Sequence, residues 1–160
     1  MGLDMYLTAN RYESRLRFDP KHDESTYNAL VEASGLKHLV DPDDDISSVI
    51  VKVRVGYWRK ANAIHQWFVQ NVQGGKDDCS EFDVSREQLS SLQALCEELL
   101  KSRNAQEAAE KLPPQAGFFF GSTEIDEWYW QDLEQTVKIL KRALGEPQVK
   151  GIWFEYRASW

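Results

Sequence analysis

The stretch SVIVKVRVG, residues 48–56, decides the fold, because its side chains alternate with the period of two that a β-strand requires. One face of the predicted strand carries only valine, at Val49, Val51, Val53 and Val55, and the other carries Ile50, Lys52 and Arg54. β-Branched residues favour strands. Two faces of different polarity are typical of antiparallel sheets, which bury one face and leave the other near solvent.

The same alternation occurs near both ends of the sequence. Apolar residues occupy every second position within residues 2–8 and again within residues 152–160. Both segments are therefore predicted to be strands. We expect them to pair with residues 48–56 in one mainly antiparallel sheet.

Helical patterns fill the intervening segments, at about 26–34, 58–72, 85–100 and 123–144, with a short piece at 104–111. The helix after Ser85 has the clearest start, since Ser85 and Gln88 match a capping box. Leucines then recur at the spacing of one helix face. We predict an α+β fold, a mainly antiparallel sheet with about four helices packed on one face in two layers, and a single domain over residues 1–160.

Composition narrows the functional classes. The chain has 160 residues, 42% of them apolar, and a net charge of −7. No apolar run approaches the length of about 20 residues that spans a membrane, and the first residues lack a signal-peptide pattern, so we expect a cytoplasmic protein without a membrane partner. The acidic balance argues against direct nucleic-acid binding, although it allows an acidic inhibitor that imitates DNA.

The segment YWRKANAIHQWF, residues 57–68, mixes aromatic and polar side chains at the predicted start of a helix. On a helical wheel, Ala61, Ile64 and Phe68 form the apolar stripe, and His65 falls inside it with Asn62 beside it. Trp58 lies at the edge of the stripe. His65 is therefore expected either to be satisfied within the core or to reach the floor of a pocket.

A second group of reactive residues follows the turn at residues 74–75. Asp77, Asp78 and Cys79 could combine with His65 to bind a metal or to form a hydrolase or transferase site, or they could form an ordinary polar turn. The two cysteines, Cys79 and Cys96, form no CxxC pair, and no HExxH motif is present, so we predict reduced thiols, no metal site and no cofactor.

Two further segments carry functional potential. In GFFFGS, residues 117–122, glycines flank a predicted short strand, and a helix starting near Thr123 would offer backbone amides beside Ser122 to an anion. In the next segment, Trp128, Tyr129 and Trp130 are consecutive on a helix, so their side chains point in three directions. At least one of them is therefore expected at a surface, a pocket or an interface.

Several motifs together resemble a family of small uncharacterised proteins found in bacteriophages and prophages. They are GLDMYL at the start, YWRKANAIHQWF, the DDC turn, LPPQAGFFFGSTEIDEWYWQDL and the terminal FEYRASW. The resemblance covers nearly the whole chain in the same order. It implies action in the cytoplasm of a host bacterium, and it supplies no catalytic residues.

The sequence therefore favours a phage-type accessory binding protein over an enzyme, with a role in counter-defence or host takeover. The expected partner is a small ligand of nucleotide-like type or a host protein, and homo-oligomer formation stays open. The predicted ligand-binding residues are Trp58, Arg59, Lys60, Asn62, His65, Ser122, Trp128 and Tyr129. The alternatives are an enzyme that uses His65, Asp77, Asp78 and Cys79, and an acidic DNA mimic.

Overall fold

The computed structural model describes residues 2–16, 19, 21, 23–117 and 120–160, and its described part has an α+β fold. The strands are β1 (Asp4–Ser14), β2 (Ser48–Arg59), β3 (Phe82–Val84) and β4 (Ile152–Ser159). The helices are α1 (Ser25–Ser34), α2 (Asn62–Asn71), α3 (Arg86–Ser102), α4 (Ala105–Lys111) and α5 (Glu127–Leu144), with a short 3-10 helix at Lys37–Leu39. The four strands form one antiparallel sheet in the order β2-β1-β4-β3, which confirms the predicted fold class.

The chain divides into two compact units. The larger consists of Met1–Ala9 and Val53–Trp160, and the smaller of Asn10–Lys52. Within the smaller unit, the Nη1 of Arg15 donates to the carbonyl oxygens of Asp41 and Asp44, at 3.2 and 2.9 Å. The single domain predicted over residues 1–160 stays a prediction.

The core of the larger unit lies between the sheet and the helices. Alternate residues of the two central strands are buried in it, namely Leu3, Met5 and Leu7 at β1 and Phe154, Tyr156 and Ala158 on β4. The leucine stripe of α3 and the apolar face of α5 complete this core. The period-two patterns therefore predicted correctly which residues of these strands are buried.

Helix α3 begins as its sequence predicts. The backbone N–H of Gln88 donates to Ser85 Oγ at 3.1 Å, and the N–H of Ser85 donates to Gln88 Oε1 at 2.9 Å. This reciprocal capping box satisfies two amides at the helix start that would otherwise lack a partner.

The junction of β2 and α2 differs from the prediction. Strand β2 continues through Arg59, and α2 begins only at Asn62, so Trp58 lies on a strand and not on a helix. The reason is close packing, because a Cβ at Gly56 would lie 2.7 Å from Cγ2 of Ile139. Gly56 thus lets α5 approach the strand, and Trp58, on the same face, is buried with its Nε1 donating to Thr136 Oγ1 at 2.8 Å.

The start of α5 also differs from the prediction. Asp126, and not Thr123, is the capping residue: its Oδ1 accepts the backbone N–H groups of Trp128 and Tyr129 at 2.9 and 3.1 Å. No helix N-terminus therefore lies at Ser122. Phe118 and Phe119 of the predicted strand lie outside the described residues, and the described positions 117 and 120–122 are not in a strand.

Within the described residues, none of the helices is both long enough and apolar enough to cross a membrane.

Candidate functional site

A cavity of about 470 Å³ lies in the larger unit, where the end of β2, the start of α2, the loop at residues 121–122 and the first turns of α5 meet. Its lining combines two cations, two carboxylates, an amide and aromatic and aliphatic walls. The lining residues are Arg59, Lys60, Asn62, Ala63, Ile64, Gly121, Ser122, Asp126, Trp128, Tyr129, Asp132 and Leu133.

The two cations of the cavity, Arg59 and Lys60, lie at the junction of β2 and α2. Lys60 has a φ of 60°, a left-handed conformation that is costly for a residue with a Cβ. Hydrogen bonds hold it there, from the Lys60 N–H to the Leu3 carbonyl at 2.7 Å and from the Asn62 N–H to the Lys60 carbonyl at 2.8 Å. The side chains of Arg59 and Lys60 are exposed, and neither forms an ion pair with any described carboxylate.

Asn62 fixes the loop on the opposite side of the junction. Its Nδ2 donates to the carbonyl oxygens of Phe120 and Ser122, at 3.1 and 2.7 Å. Gly121 lies between them with a φ of 92°, and a Cβ there would come within 3.4 Å of the Lys60 Cβ. The buried amide thus joins this loop to α2, and the glycine lets the loop lie close to Lys60.

Helix α5 supplies the aromatic wall. Trp128 is 72% exposed, whereas Tyr129 and Trp130 are buried, which confirms that the three aromatics cannot all belong to the core. The Tyr129 hydroxyl donates to the Leu112 carbonyl at 2.9 Å, and burial raises the pKa of that hydroxyl. Tyr129 therefore forms a fixed neutral surface, and Trp128 is the exposed aromatic side chain of the cavity lining.

Asp132 is one of the cavity residues that the sequence interpretation missed. Burial, and then the neighbouring charge of Asp126, raise its pKa to about 7. No donor among the described residues forms a hydrogen bond or ion pair with its carboxylate. The spacing of Trp128 and Asp132, four residues apart on one helix, was the pattern that could have identified it.

The structure brings together six of the eight predicted ligand-binding residues. Around the one cavity lie Arg59, Lys60, Asn62, Ser122, Trp128 and Tyr129. Trp58 and His65 do not line it: both are buried in the core, and each has a side-chain hydrogen bond there. The expected neighbour of His65 is also different, because Asn62 bonds to the loop carbonyls and not to the histidine.

His65 belongs to a chain of hydrogen bonds that runs from the buried Tyr156 to the exposed Trp160. Its Nδ1 lies 2.7 Å from the Tyr156 hydroxyl and its Nε2 lies 3.1 Å from Asp77 Oδ2. Because a carboxylate only accepts, Nε2 carries the proton of the neutral ring and Nδ1 accepts from Tyr156. Burial lowers the pKa of His65 despite the opposing effect of Asp77, so the ring is neutral at pH 7. Trp160 Nε1 completes the chain by donating to Asp77 Oδ1 at 3.1 Å.

The remaining residues of the alternative catalytic group form no hydrogen bond with His65 in the described part of the chain. Asp78 forms an ion pair with Lys76 at 2.6 Å. The hydrogen bond from Lys76 is the largest of the effects that lower the pKa of Asp78 to about 2. Cys79 is half-buried, and no hydrogen bond joins it to His65. The structure thus places only Asp77 against His65, on a ring that is fully buried. Among the residues that the structure describes, no group of three or more His, Cys, Asp and Glu side chains is arranged to hold a metal ion.

Comparison of the chain with models of protein families, with functionally characterised proteins and with solved structures gives no match.

Proposed function

We propose that the protein binds a small nucleotide-like ligand in the cavity between β2, α2 and α5. The observation that carries this proposal is the meeting of Arg59 and Lys60, two cations that form no ion pair with a described residue, with the exposed indole of Trp128 around one concavity. A nucleotide has the matching parts, an anionic phosphate and a planar ring.

The size of the cavity fits such a ligand. Small-molecule pockets commonly enclose about 300–1,000 Å³, and the cavity volume of about 470 Å³ lies within that range. Ile64 and Leu133 contribute apolar surface to its lining, and Asn62 and Ser122 contribute polar groups. A few polar groups within an apolar wall are the usual means of orienting a small ligand.

The phosphate would lie against Arg59 and Lys60. A guanidinium offers paired N–H donors that match phosphate oxygens, and an ammonium adds a mobile point charge. In a chain with a net charge of −7, two cations beside one cavity that pair with no carboxylate in the described part of the chain would make a local site for an anion.

The ring would stack on Trp128. Base–aromatic stacking contributes about 1–3 kcal/mol and tolerates any base, because every base has a π-face. In the unbound protein the apolar surface of the indole is in contact with water, which is unfavourable. A stacked ring would remove that surface from water.

The resemblance to phage proteins supports a biological setting for this activity. A phage protein of this type would act in the cytoplasm of its bacterial host and withhold a nucleotide-like molecule from a defence or metabolic process. No chemical step on the ligand is part of the proposal.

Isothermal titration calorimetry with a panel of nucleoside monophosphates, diphosphates and cyclic nucleotides tests the proposal. We expect at least one ligand to bind with a stoichiometry of one, and Trp128→Ala and the double variant Arg59→Ala/Lys60→Ala each to weaken it about tenfold or more. Lys101→Ala, an exposed lysine on α3 that does not line the cavity, is the matched control and should bind like the unaltered protein. Absence of binding across the panel would refute the proposal.

A further inference from the structure

The two carboxylates of the cavity are not equivalent. Asp126 is occupied, because its Oδ1 accepts the two backbone amides that begin α5. Asp132 has no hydrogen bond or ion pair from a described residue, although it is half-buried beside the cavity. A partly desolvated carboxylate without donors is costly to keep ionised, so a ligand that brings donors to it gains binding free energy.

The position of Asp132 relative to Trp128 specifies where those donors must lie. Residues four apart on a helix lie on one face with their Cβ atoms about 5–6 Å apart. A base stacked on the indole of Trp128 would therefore place its edge one helical turn further along α5, beside the Asp132 carboxylate. The sugar and phosphate would extend toward Arg59 and Lys60, which line the same cavity.

Among the common bases, guanine has the edge that matches an ionised carboxylate. Its N1–H and its exocyclic amino group are adjacent donors, and the two oxygens of Asp132 are acceptors only. Adenine presents an acceptor, N1, next to its amino donor, so one carboxylate oxygen would face a lone pair. We propose, on the basis of the nucleotide site proposed above, that Asp132 recognises the Watson–Crick edge of guanine. This contact would make the cavity selective for guanine nucleotides over adenine nucleotides.

Protonation gives this selectivity a pH dependence of definite sign. The titratable and charged groups that line the cavity with Asp132 are Asp126, whose charge raises the Asp132 pKa, the cations Arg59 and Lys60, and the Tyr129 hydroxyl. With a pKa of about 7, Asp132 is mainly protonated at pH 6 and mainly ionised at pH 8. The protonated group can donate to adenine N1, so the preference for guanine should grow from pH 6 to pH 8.

Calorimetric titration of GMP, IMP and AMP at pH 6 and pH 8 tests the inference. We expect GMP to bind about tenfold or more tighter than AMP at pH 8, with IMP between them because it lacks the amino group. Asp132→Asn replaces one acceptor by a donor, so its preference should move toward AMP and lose its pH dependence. Asp83→Asn, an exposed carboxylate on β3 outside the cavity, should leave the preference unchanged.

The outcomes separate this inference from the proposed function. If the three nucleotides bind equally well, or if Asp132→Asn keeps the preference for GMP, the role of Asp132 is refuted while nucleotide binding stands. If none of the three binds and the wider nucleotide panel also fails, both are refuted. If AMP binds and GMP does not, the base specificity is the reverse of that proposed and the inference fails.

Discussion

Replacing Asn62 by alanine should destabilise the protein and release one wall of the cavity. The Asn62 side chain is 5% exposed and donates to two carbonyl oxygens of the loop, those of Phe120 and Ser122. The Phe120 bond is buried, so loss of its donor leaves an unsatisfied carbonyl at a cost of about 1–3 kcal/mol. Ser122 is exposed, so water can replace its bond, and the loss there is about 0.5–1.5 kcal/mol.

The sum is a loss of about 1.5–4.5 kcal/mol in the free energy of unfolding, which corresponds to a fall in Tm of about 3–18 °C for a chain of this length. Urea unfolding followed by circular dichroism measures it. Asn62→Asp, of nearly the same shape, should lose at least as much at pH 7, because a carboxylate would face the two carbonyl oxygens.

Asn71→Ala is the matched control, since Asn71 lies at the other end of α2, is exposed, and donates to the Trp67 carbonyl at 2.8 Å. We expect it to cost no more than about 0.5 kcal/mol. Equal losses for Asn62→Ala and Asn71→Ala would refute the view that the buried amide holds the loop. If the cavity is the binding site, unchanged nucleotide binding by Asn62→Ala would refute this view as well, provided that the measurement is made at a temperature where the variant is fully folded.

Two further predictions concern buried titratable groups. Burial lowers the folded-state pKa of His65 below its unfolded value of 6.5, so the unfolded state binds more protons below that pH. The contribution of His65 to the free energy of unfolding therefore falls as the pH drops from about 6.5, by at most about 1.4 kcal/mol per pH unit. His65→Gln should remove this slope in urea unfolding between pH 5 and pH 7, whereas His38→Gln, at an exposed position, should keep it. A thiol reagent at pH 8 should label one cysteine per native chain, the half-buried Cys79, because Cys96 is fully buried and burial raises its pKa to about 12. Rapid labelling of both cysteines before unfolding would contradict the packing of α3.

Elements fixed by neighbouring residues could be predicted from the sequence. The capping box of Ser85 and Gln88 lies within four residues, and the alternation of β4 needs only the period of two, so both were found. The end of β2 could not be found in this way. Gly56 has the appearance of a strand terminator, but its role depends on Ile139, a residue of α5 that only the folded chain brings beside it.

Some residues of the candidate site could be selected from the sequence by their type, whereas those that depend on tertiary contacts could not. Aromatic and cationic residues such as Trp128 and Arg59 stand out by their type, and the structure places both at the cavity. His65 stood out equally, yet its bonds to Tyr156 and Asp77 occupy it in the core. Asp132 was overlooked because an aspartate on an amphipathic helix is ordinarily solvated, and only the enclosure of the cavity gives it chemical significance.

The strand order β2-β1-β4-β3 has a consequence for folding kinetics. The central pair of the sheet joins β1 to β4, although nearly all of the chain lies between them. β3 has only β4 as its neighbour. Long-range pairing of this kind requires a large loop to close before its contacts stabilise the fold, which slows folding relative to helical proteins of similar size. The helices α3 and α5 can form early from local contacts, but the sheet beneath them is complete only when β4 inserts between β1 and β3.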